Sequence, residues 1–332
     1  MKNLSCILEI SFVIIGAIIG AGFASGKEIS IFFAKYGING LIGIILTVFI
    51  INIVIYRIIV ISKKYEIRSF SDLLRIKKVK HQRIINICMN IFLLLSFSVM
   101  VAGFKGYALQ IASKQANVMT ILFIFICYIT LNKKAEGIIN GNKYLVPPLI
   151  IAIFIISLTF IAKEYPYEVI ENQYVGNSII SSILYSGYNL VMIIPVIVSL
   201  AERMKDKREI NKMSIITTCI MIILFLLIFI PLIIDKTGAM GYEFPILSIT
   251  KSMGKCYSIL YSVVIIIAIF TSVISSGYAF LSNVSKENYK ELSIIICAIA
   301  LIVSNFGFGN LIENLYPIFG TIGMIFSLFL AI

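Results

Sequence analysis

Long apolar stretches dominate this chain and restrict it to folds built from membrane-spanning helices. Several stretches exceed the roughly 20 residues that an α-helix needs to cross the hydrocarbon core of a bilayer. Of the 332 residues, 60% are hydrophobic and 13% are charged. We therefore predict an all-α, polytopic membrane protein with about ten transmembrane helices. The apolar runs lie at about 7–35, 38–62, 84–112, 116–132, 137–163, 177–201, 213–235, 255–284, 289–306 and 309–332.

The positive charge of the chain predicts orientation in a membrane rather than a nucleic-acid partner. The formal net charge is +12, and the basic residues concentrate in short connections that follow even-numbered apolar runs. Because basic loops remain in the cytoplasm, we predict a multi-pass protein of the cell membrane with both termini cytoplasmic. The basic residues of these connections are Lys63, Lys64, Arg68, Arg75, Lys77, Lys78, Lys80, Arg83, Lys133, Lys134, Lys143, Arg203, Lys205, Lys207, Arg208, Lys212, Lys286 and Lys290.

The ten runs divide into two halves of five. Residues 1–163 form a predicted first repeat, residues 164–176 an acidic external linker, and residues 177–332 a second repeat. Because five is odd, the second repeat must be inverted relative to the first. Inverted repeats place a substrate site at their interface, near the middle of the membrane.

The first apolar run contains the sequence GAIIGAGFASGKE at 16–28, which is poor in helix-forming residues. Each glycine in a helix interior costs roughly 1 kcal/mol. Four glycines within eleven residues therefore predict a helix that opens partway across the membrane. Such a break is a typical pointer to the binding site of a transporter. Close packing of small residues against another helix is the alternative interpretation.

If the halves are related, the sixth run should be broken as well. The sequence YSGYN at 185–189 interrupts it, and Pro195 follows. Opened helix ends offer N–H groups to a carboxylate and carbonyl groups to a cation, and aromatic rings can form the walls of a pocket. The predicted substrate-binding residues are Ala21, Gly22, Phe23, Ala24, Ser25, Gly26, Tyr185, Ser186, Gly187, Tyr188 and Asn189.

Several motifs resemble those of the YkvI-type family of predicted amino-acid permeases. They are GAGFASGKE at 20–28 with FF and YG at 32–37, VMVAG at 99–103, NKYLVP at 142–147, YSGYNLVMIIP at 185–195, EFPIL at 243–247 and FTSVISSGYA at 270–279. The resemblance implies the amino acid–polyamine–organocation superfamily and a LeuT-like fold with a 5+5 inverted repeat and broken helices 1 and 6. It implies a permease and leaves the substrate open.

The same resemblance implies a site for a coupling Na⁺ ion between the first and eighth runs. The matching ligands are the carbonyl groups of Gly16, Ile19 and Ala268 and the hydroxyl groups of Thr271 and Ser272. Hard oxygen ligands suit a hard cation. Alternatively, the two hydroxyl groups bond back to their own helix, as is common in membrane spans.

Two charged residues fall within predicted spans. Glu28 directly follows the glycine-rich break, and an acid at such depth is by default a functional candidate. We predict a coupling or gating role for Glu28, with Lys105 of the third run as its candidate ion-pair partner. The resemblance leads us to expect a small or apolar residue in place of Lys105. The alternative is that Glu28 lies near the outer headgroups and caps a half-helix.

Together, these features predict a secondary transporter that moves a small solute, such as an amino acid or related amine, by alternating access. Coupling to Na⁺ is favoured over coupling to protons, and no cofactor is expected. We expect no enzymatic activity and no catalytic residue, because His81 is the only histidine and no metal-ligand spacing or GxxxxGK[ST] motif occurs. The alternative is a receptor with a permease fold that binds a nutrient and signals without transport. The oligomeric state stays open.

Overall fold

The structure is a computed structural model that describes residues 2–67, 70–76, 82–132, 136–163, 177–204, 206–284 and 288–331. These residues form helices and short connections, and none of them forms a strand. The predicted external linker at 164–176 lies outside the described residues.

Every predicted apolar run contains at least one helix. In the first half these helices are α1 (Lys2–Ile18), α2 (Ala21–Ser25), α3 (Lys27–Phe32), α4 (Asn39–Lys64), α5 (Phe70–Ile76), α6 (Gln82–Ala112), α7 (Ala116–Asn132) and α8 (Glu136–Lys163). In the second half they are α9 (Ser178–Leu200), α10 (Lys207–Ile234), α11 (Pro245–Met253), α12 (Lys255–Val284), α13 (Tyr289–Val303) and α14 (Phe308–Ala331). The short helices α5 and α11 lie between apolar runs.

The outer surface of this bundle suits a lipid environment. Large apolar side chains are widely exposed, including Ile121 (56%), Phe125 (59%) and Ile325 (67%). In the described residues, seven apolar segments are long enough to cross a membrane, and one of them, at 83–132, contains both α6 and α7. Helices are expected here because hydrocarbon offers the backbone no hydrogen-bond partners. The finding establishes a membrane protein of at least seven long apolar segments.

The helices pack as one bundle around α9 and α12. Helix α9 lies between α4 and α14, while α12 contacts α6, α7 and α8. On the other side, α1 contacts α10, which also contacts α4 and α8. The short segment formed by α2 and α3 therefore lies inside the bundle, where it contacts α6, α9, α10, α11 and α12.

Candidate functional site

The first apolar run is a discontinuous helix, as the glycine content predicts. Helix α1 ends at Ile18, and the N–H of Gly20 donates to the carbonyl of Ile18 at 2.8 Å instead of continuing the α-helical pattern. The carbonyl of Gly16 thereby loses the donor that a continuous helix would supply. A second interruption follows at Gly26, whose φ of 82° is a conformation that costs non-glycine residues energy.

Neighbouring helices enclose this break. Ala21 and Ala24 are at most 1% exposed, and the hydroxyl of Tyr261 in α12 donates to the carbonyl of Ala24. A Cβ atom at Gly26 would lie 2.7 Å from Cγ1 of Ile246 in α11. The interrupted backbone is thus supported by protein side chains, which is the condition for irregular backbone at membrane depth.

Glu28 lies in the first turn of α3 and is 1% exposed. One carboxylate oxygen, Oε2, accepts a hydrogen bond from the hydroxyl of Tyr185 at 3.0 Å. The other side of the carboxylate packs on Gly22, where a Cβ atom would lie only 2.7 Å from Cδ of Glu28. Gly22 therefore provides the space that the carboxylate occupies inside the bundle.

The predicted ion pair between Glu28 and Lys105 is wrong. Nζ of Lys105 donates to Oδ1 of Asn305 at 2.6 Å, so that side chain is directed towards the end of α13. The neighbouring Lys27 also points away from Glu28, since its Nζ donates to the carbonyl of Tyr242 at 3.1 Å. Glu28 in α3 and Lys105 in α6 are expected at similar depth, but depth does not determine which faces of two helices meet.

The predicted break in the sixth run is also wrong, because α9 is helical throughout residues 178–200. The polar residues that indicated a break are satisfied locally. The hydroxyl of Ser186 donates to the carbonyl of Ser182 at 2.7 Å, and the amide of Asn189 donates to the carbonyl of Tyr185 at 2.9 Å. Such bonds remove the cost of burying a polar group without opening the helix.

Gly187 serves close packing between helices α9 and α14. A Cβ atom at this position would lie 2.7 Å from the backbone nitrogen of Met324. On the facing helix α14, a Cβ atom at Gly320 would overlap the carbonyl oxygen of Leu184. A Cβ atom at Gly323 would overlap that of Gly187. Small residues at a helix interface allow backbones to come this close. Close packing, rather than a break, therefore explains Gly187.

The predicted aromatic residues are buried and join one cluster. Phe23 and Tyr185 both pack against Phe225 of α10, with ring centroids 5.0 Å and 5.9 Å apart respectively. Tyr188 instead stacks on Tyr316 of α14 at 4.0 Å. The structure thus brings the two predicted substrate segments together through Phe225, in a tightly packed arrangement.

The residues predicted to hold Na⁺ lie in part beside one another. Oγ of Ser272 lies 3.6 Å from the position of a Cβ at Gly20, so α12 meets the break. The hydroxyl of Ser272 donates to the carbonyl of Ala268 at 2.8 Å, and that of Thr271 lies within reach of two carbonyls, those of Ile267 at 3.0 Å and Ala268 at 3.1 Å. An ion at Ala268 would therefore compete with these hydroxyl groups for the carbonyl.

Three further residues of this region were not predicted from the sequence. Tyr261 supports the break, Phe225 joins the two aromatic segments, and Tyr316 lies near Glu28 with its buried ring stacked on Tyr188. A tyrosine within an apolar run is the signal that could have identified two of them, because its hydroxyl requires a partner when buried.

Comparison with known proteins shows which sequences and folds this chain resembles. No protein-family model matches the chain. The chain is 28% identical over 330 residues to the uncharacterized membrane protein YkvI of Bacillus subtilis (strain 168), covering 96% of this chain and 93% of that protein. It is 22% identical over 323 residues to the uncharacterized protein YyaD of the same organism, covering 94% and 92%. These similarities support the YkvI-type resemblance seen in the motifs.

Two solved transporter structures share the fold. A mutant of the manganese transporter of Eremococcus coleocola matches with a TM-score of 0.65 at 15% identity, covering 95% of this chain and 77% of that chain. The inward-facing conformation of Mhp1 matches with a TM-score of 0.59 at 11% identity, covering 94% and 73%. At such low identity the likeness concerns the fold alone, which is LeuT-like.

Proposed function

We propose that this chain is a secondary active transporter of the cell membrane, with cytoplasmic termini, that moves a small solute by alternating access. The observation that carries the proposal is the discontinuous first helix, enclosed in a bundle whose fold is shared with two transporters. Unpaired backbone groups at such a break are suited to binding polar solutes and ions.

An amino acid or related amine is the proposed class of solute. The resemblance of the sequence motifs to those of predicted amino-acid permeases supports this choice. Among the described residues, no three His, Cys, Asp or Glu side chains lie together as metal ligands would. The side chains that the structure describes therefore give no support to a transition-metal substrate, and the substrate named for the manganese transporter belongs to that protein.

Helix contacts support the proposed organisation as two repeats of five spans. The proposed equivalence matches α1–α3 with α9, α4 with α10, α6 with α12, α7 with α13, and α8 with α14. Under this matching the contact of α4 with α9 corresponds to that of α10 with α1, and both occur. The contact of α7 with α12 likewise corresponds to that of α13 with α6, and α8 with α10 to α14 with α4.

Uptake into proteoliposomes tests the proposal. A panel of radiolabelled amino acids and amines is offered under an imposed Na⁺ or proton gradient. Saturable, gradient-driven accumulation and counterflow are expected. Absence of flux for every solute, together with saturable binding, would refute transport and favour the alternative, a receptor with a permease fold.

The same assay tests Na⁺ as the coupling ion. The proximity of Ser272 to Gly20 supports a site between α12 and the break, whereas the two hydroxyl donors on Ala268 compete with it. If Na⁺ binds there, Thr271→Ala should abolish accumulation driven by Na⁺ and leave accumulation driven by protons. Ser262→Ala is the matched control, because its hydroxyl lies on the same helix and donates to the carbonyl of Ser258 at 2.7 Å.

A further inference from the structure

The surroundings of Glu28 raise the question of what balances its charge. The side chain is 1% exposed, and its carboxylate accepts a hydrogen bond from a neutral phenol, that of Tyr185. The nearest lysine in sequence, Lys27, is directed to the carbonyl of Tyr242, and Lys105 is directed to Asn305. A carboxylate taken out of water without a cation is strongly disfavoured.

The titratable groups that reach Glu28 from α9 and α14 are neutral phenols. Lys35, in the turn Ala34–Tyr36 that packs on α3, is directed to the ring of Tyr36, 5.2 Å from its Nζ. Helix α9 contributes Tyr185 and Tyr188, and α14 contributes Tyr316, all within electrostatic reach of the carboxylate. Helix α2 contributes the backbone of Gly22 and no titratable side chain. The partner of the carboxylate must therefore be something other than a basic side chain of these elements.

The packing around this carboxylate leaves room for a very small partner. Gly22 is in contact on one side, and Tyr185 on the other is surrounded by the rings of Phe32, Phe33 and Phe225 at 5.1–5.9 Å. A metal cation of the hard class requires several oxygen ligands, and a solute ammonium group requires a cavity. A proton requires neither, because it binds to the carboxylate oxygen itself.

A cleft beside α3 and α9 is lined by Phe32 and Ser181, which lie one helical turn from Glu28 and Tyr185 respectively. The hydroxyl of Ser181 donates to the carbonyl of Phe32 at 2.8 Å and so links α3 to α9 beside this cleft. Lys35 and Glu313 also line the cleft and bring charged groups to it.

We propose that Glu28 is the site that binds and releases the coupling proton of this transporter. In the conformation described here the carboxyl carries the proton. When the α2–α3 segment moves away from α9, the bond from Tyr185 opens and water enters from the cleft. The O–H bond of the carboxyl then breaks, the proton passes to water, and a carboxylate remains. The inference rests on the proposed transport function and names its coupling ion.

Infrared difference spectroscopy of the purified full-length protein tests the proton site without any substrate. We expect a C=O band of a protonated carboxylic acid at neutral pH that is lost on alkaline titration and is absent from Glu28→Gln. Tyr185→Phe should shift this band, because the hydrogen bond to the carboxyl is lost. Glu313→Gln, which removes the carboxylate that lines the nearby cleft, is the control and should retain the band. A band that persists in Glu28→Gln would overturn the proposal.

Proteoliposomes then test the coupling, with the amino-acid panel as probe. For one coupled proton, a gradient of one pH unit supports about tenfold accumulation. Glu28→Gln should lose this accumulation while exchange of labelled for unlabelled solute persists. Loss of exchange as well would assign the carboxylate to the solute and overturn the proposal. If no solute is transported but the band depends on Glu28, the proton site stands and the transport function fails.

Discussion

Gly22 and Glu28 form a pair whose dependence on each other can be measured. Replacing Gly22 with Ala places a methyl group 2.7 Å from Cδ of Glu28, and the 1% exposed side chain has little room to move. We expect the carboxylate to shift and to lose the 3.0 Å hydrogen bond from Tyr185. Overpacking costs about 1–3 kcal/mol and a lost buried hydrogen bond about 1–3 kcal/mol, while Ala in a helix regains about 1 kcal/mol.

The net loss of stability in Gly22→Ala is therefore about 1–5 kcal/mol. At about 2 °C per kcal/mol, the apparent melting temperature should fall by about 2–10 °C. A thiol-reactive dye can follow unfolding in detergent, because Cys127 and Cys297 are free and buried. Gly241→Ala is the control, since nothing lies within 4 Å of its added Cβ.

The decisive comparison repeats the substitution in a Glu28→Ala background. With the carboxylate removed, Gly22→Ala should cost nothing or stabilise the protein by up to about 1 kcal/mol. The two sites would then show a coupling energy of at least about 1 kcal/mol in a double-mutant cycle. If the changes in melting temperature caused by Gly22→Ala and Glu28→Ala simply add in the double variant, the space at Gly22 is not needed for the Glu28 carboxylate. The reasoning then fails.

Three further predictions concern the helices around the break. Gly187→Ala should lower the melting temperature by several degrees, because the α9–α14 contact has no space for a methyl group; an unchanged or higher value would contradict this packing. Gly26→Ala should destabilise by at least about 1 kcal/mol, since its φ is positive and Ile246 occupies the space; equal unfolding temperatures would refute it. Tyr261→Phe removes the donor to the Ala24 carbonyl and should cost about 1–3 kcal/mol, measured by the same dye assay; no loss would show that the carbonyl finds another partner.

Some of this structure could be predicted from the sequence because the physical cause is local. Apolar runs of bilayer length predicted where the membrane helices lie, and the glycines at 16–26 predicted the opening of the first one. The positive φ of Gly26 and the missing helical hydrogen bond at Gly20 both depend on only a few consecutive residues. The reduced helix propensity there is sufficient to end a helix wherever neighbours can satisfy the backbone.

The errors arose where the cause is distant in sequence. Gly187 was interpreted as a helix breaker, but its function depends on the glycines of α14 that approach it. Lys105 was paired with Glu28 from depth alone, whereas pairing also requires that two helix faces meet, and its partner is Asn305. A sequence gives the position of a residue along a helix more readily than the direction in which it points.

In the proposed transport cycle, the continuous α9 limits what the second half can contribute. The α2–α3 segment follows an interruption at Gly20 and contains another at Gly26, whereas α9, its counterpart in the proposed repeat, is one unbroken helix. Motion that rearranges the site should therefore concentrate in the first half, since hinges are a few residues that absorb backbone changes. Glu28 lies on the interrupted segment and Tyr185 on the continuous helix. Their hydrogen bond joins the two, so under the proposed mechanism the protonation of the carboxyl and the position of the segment should depend on each other.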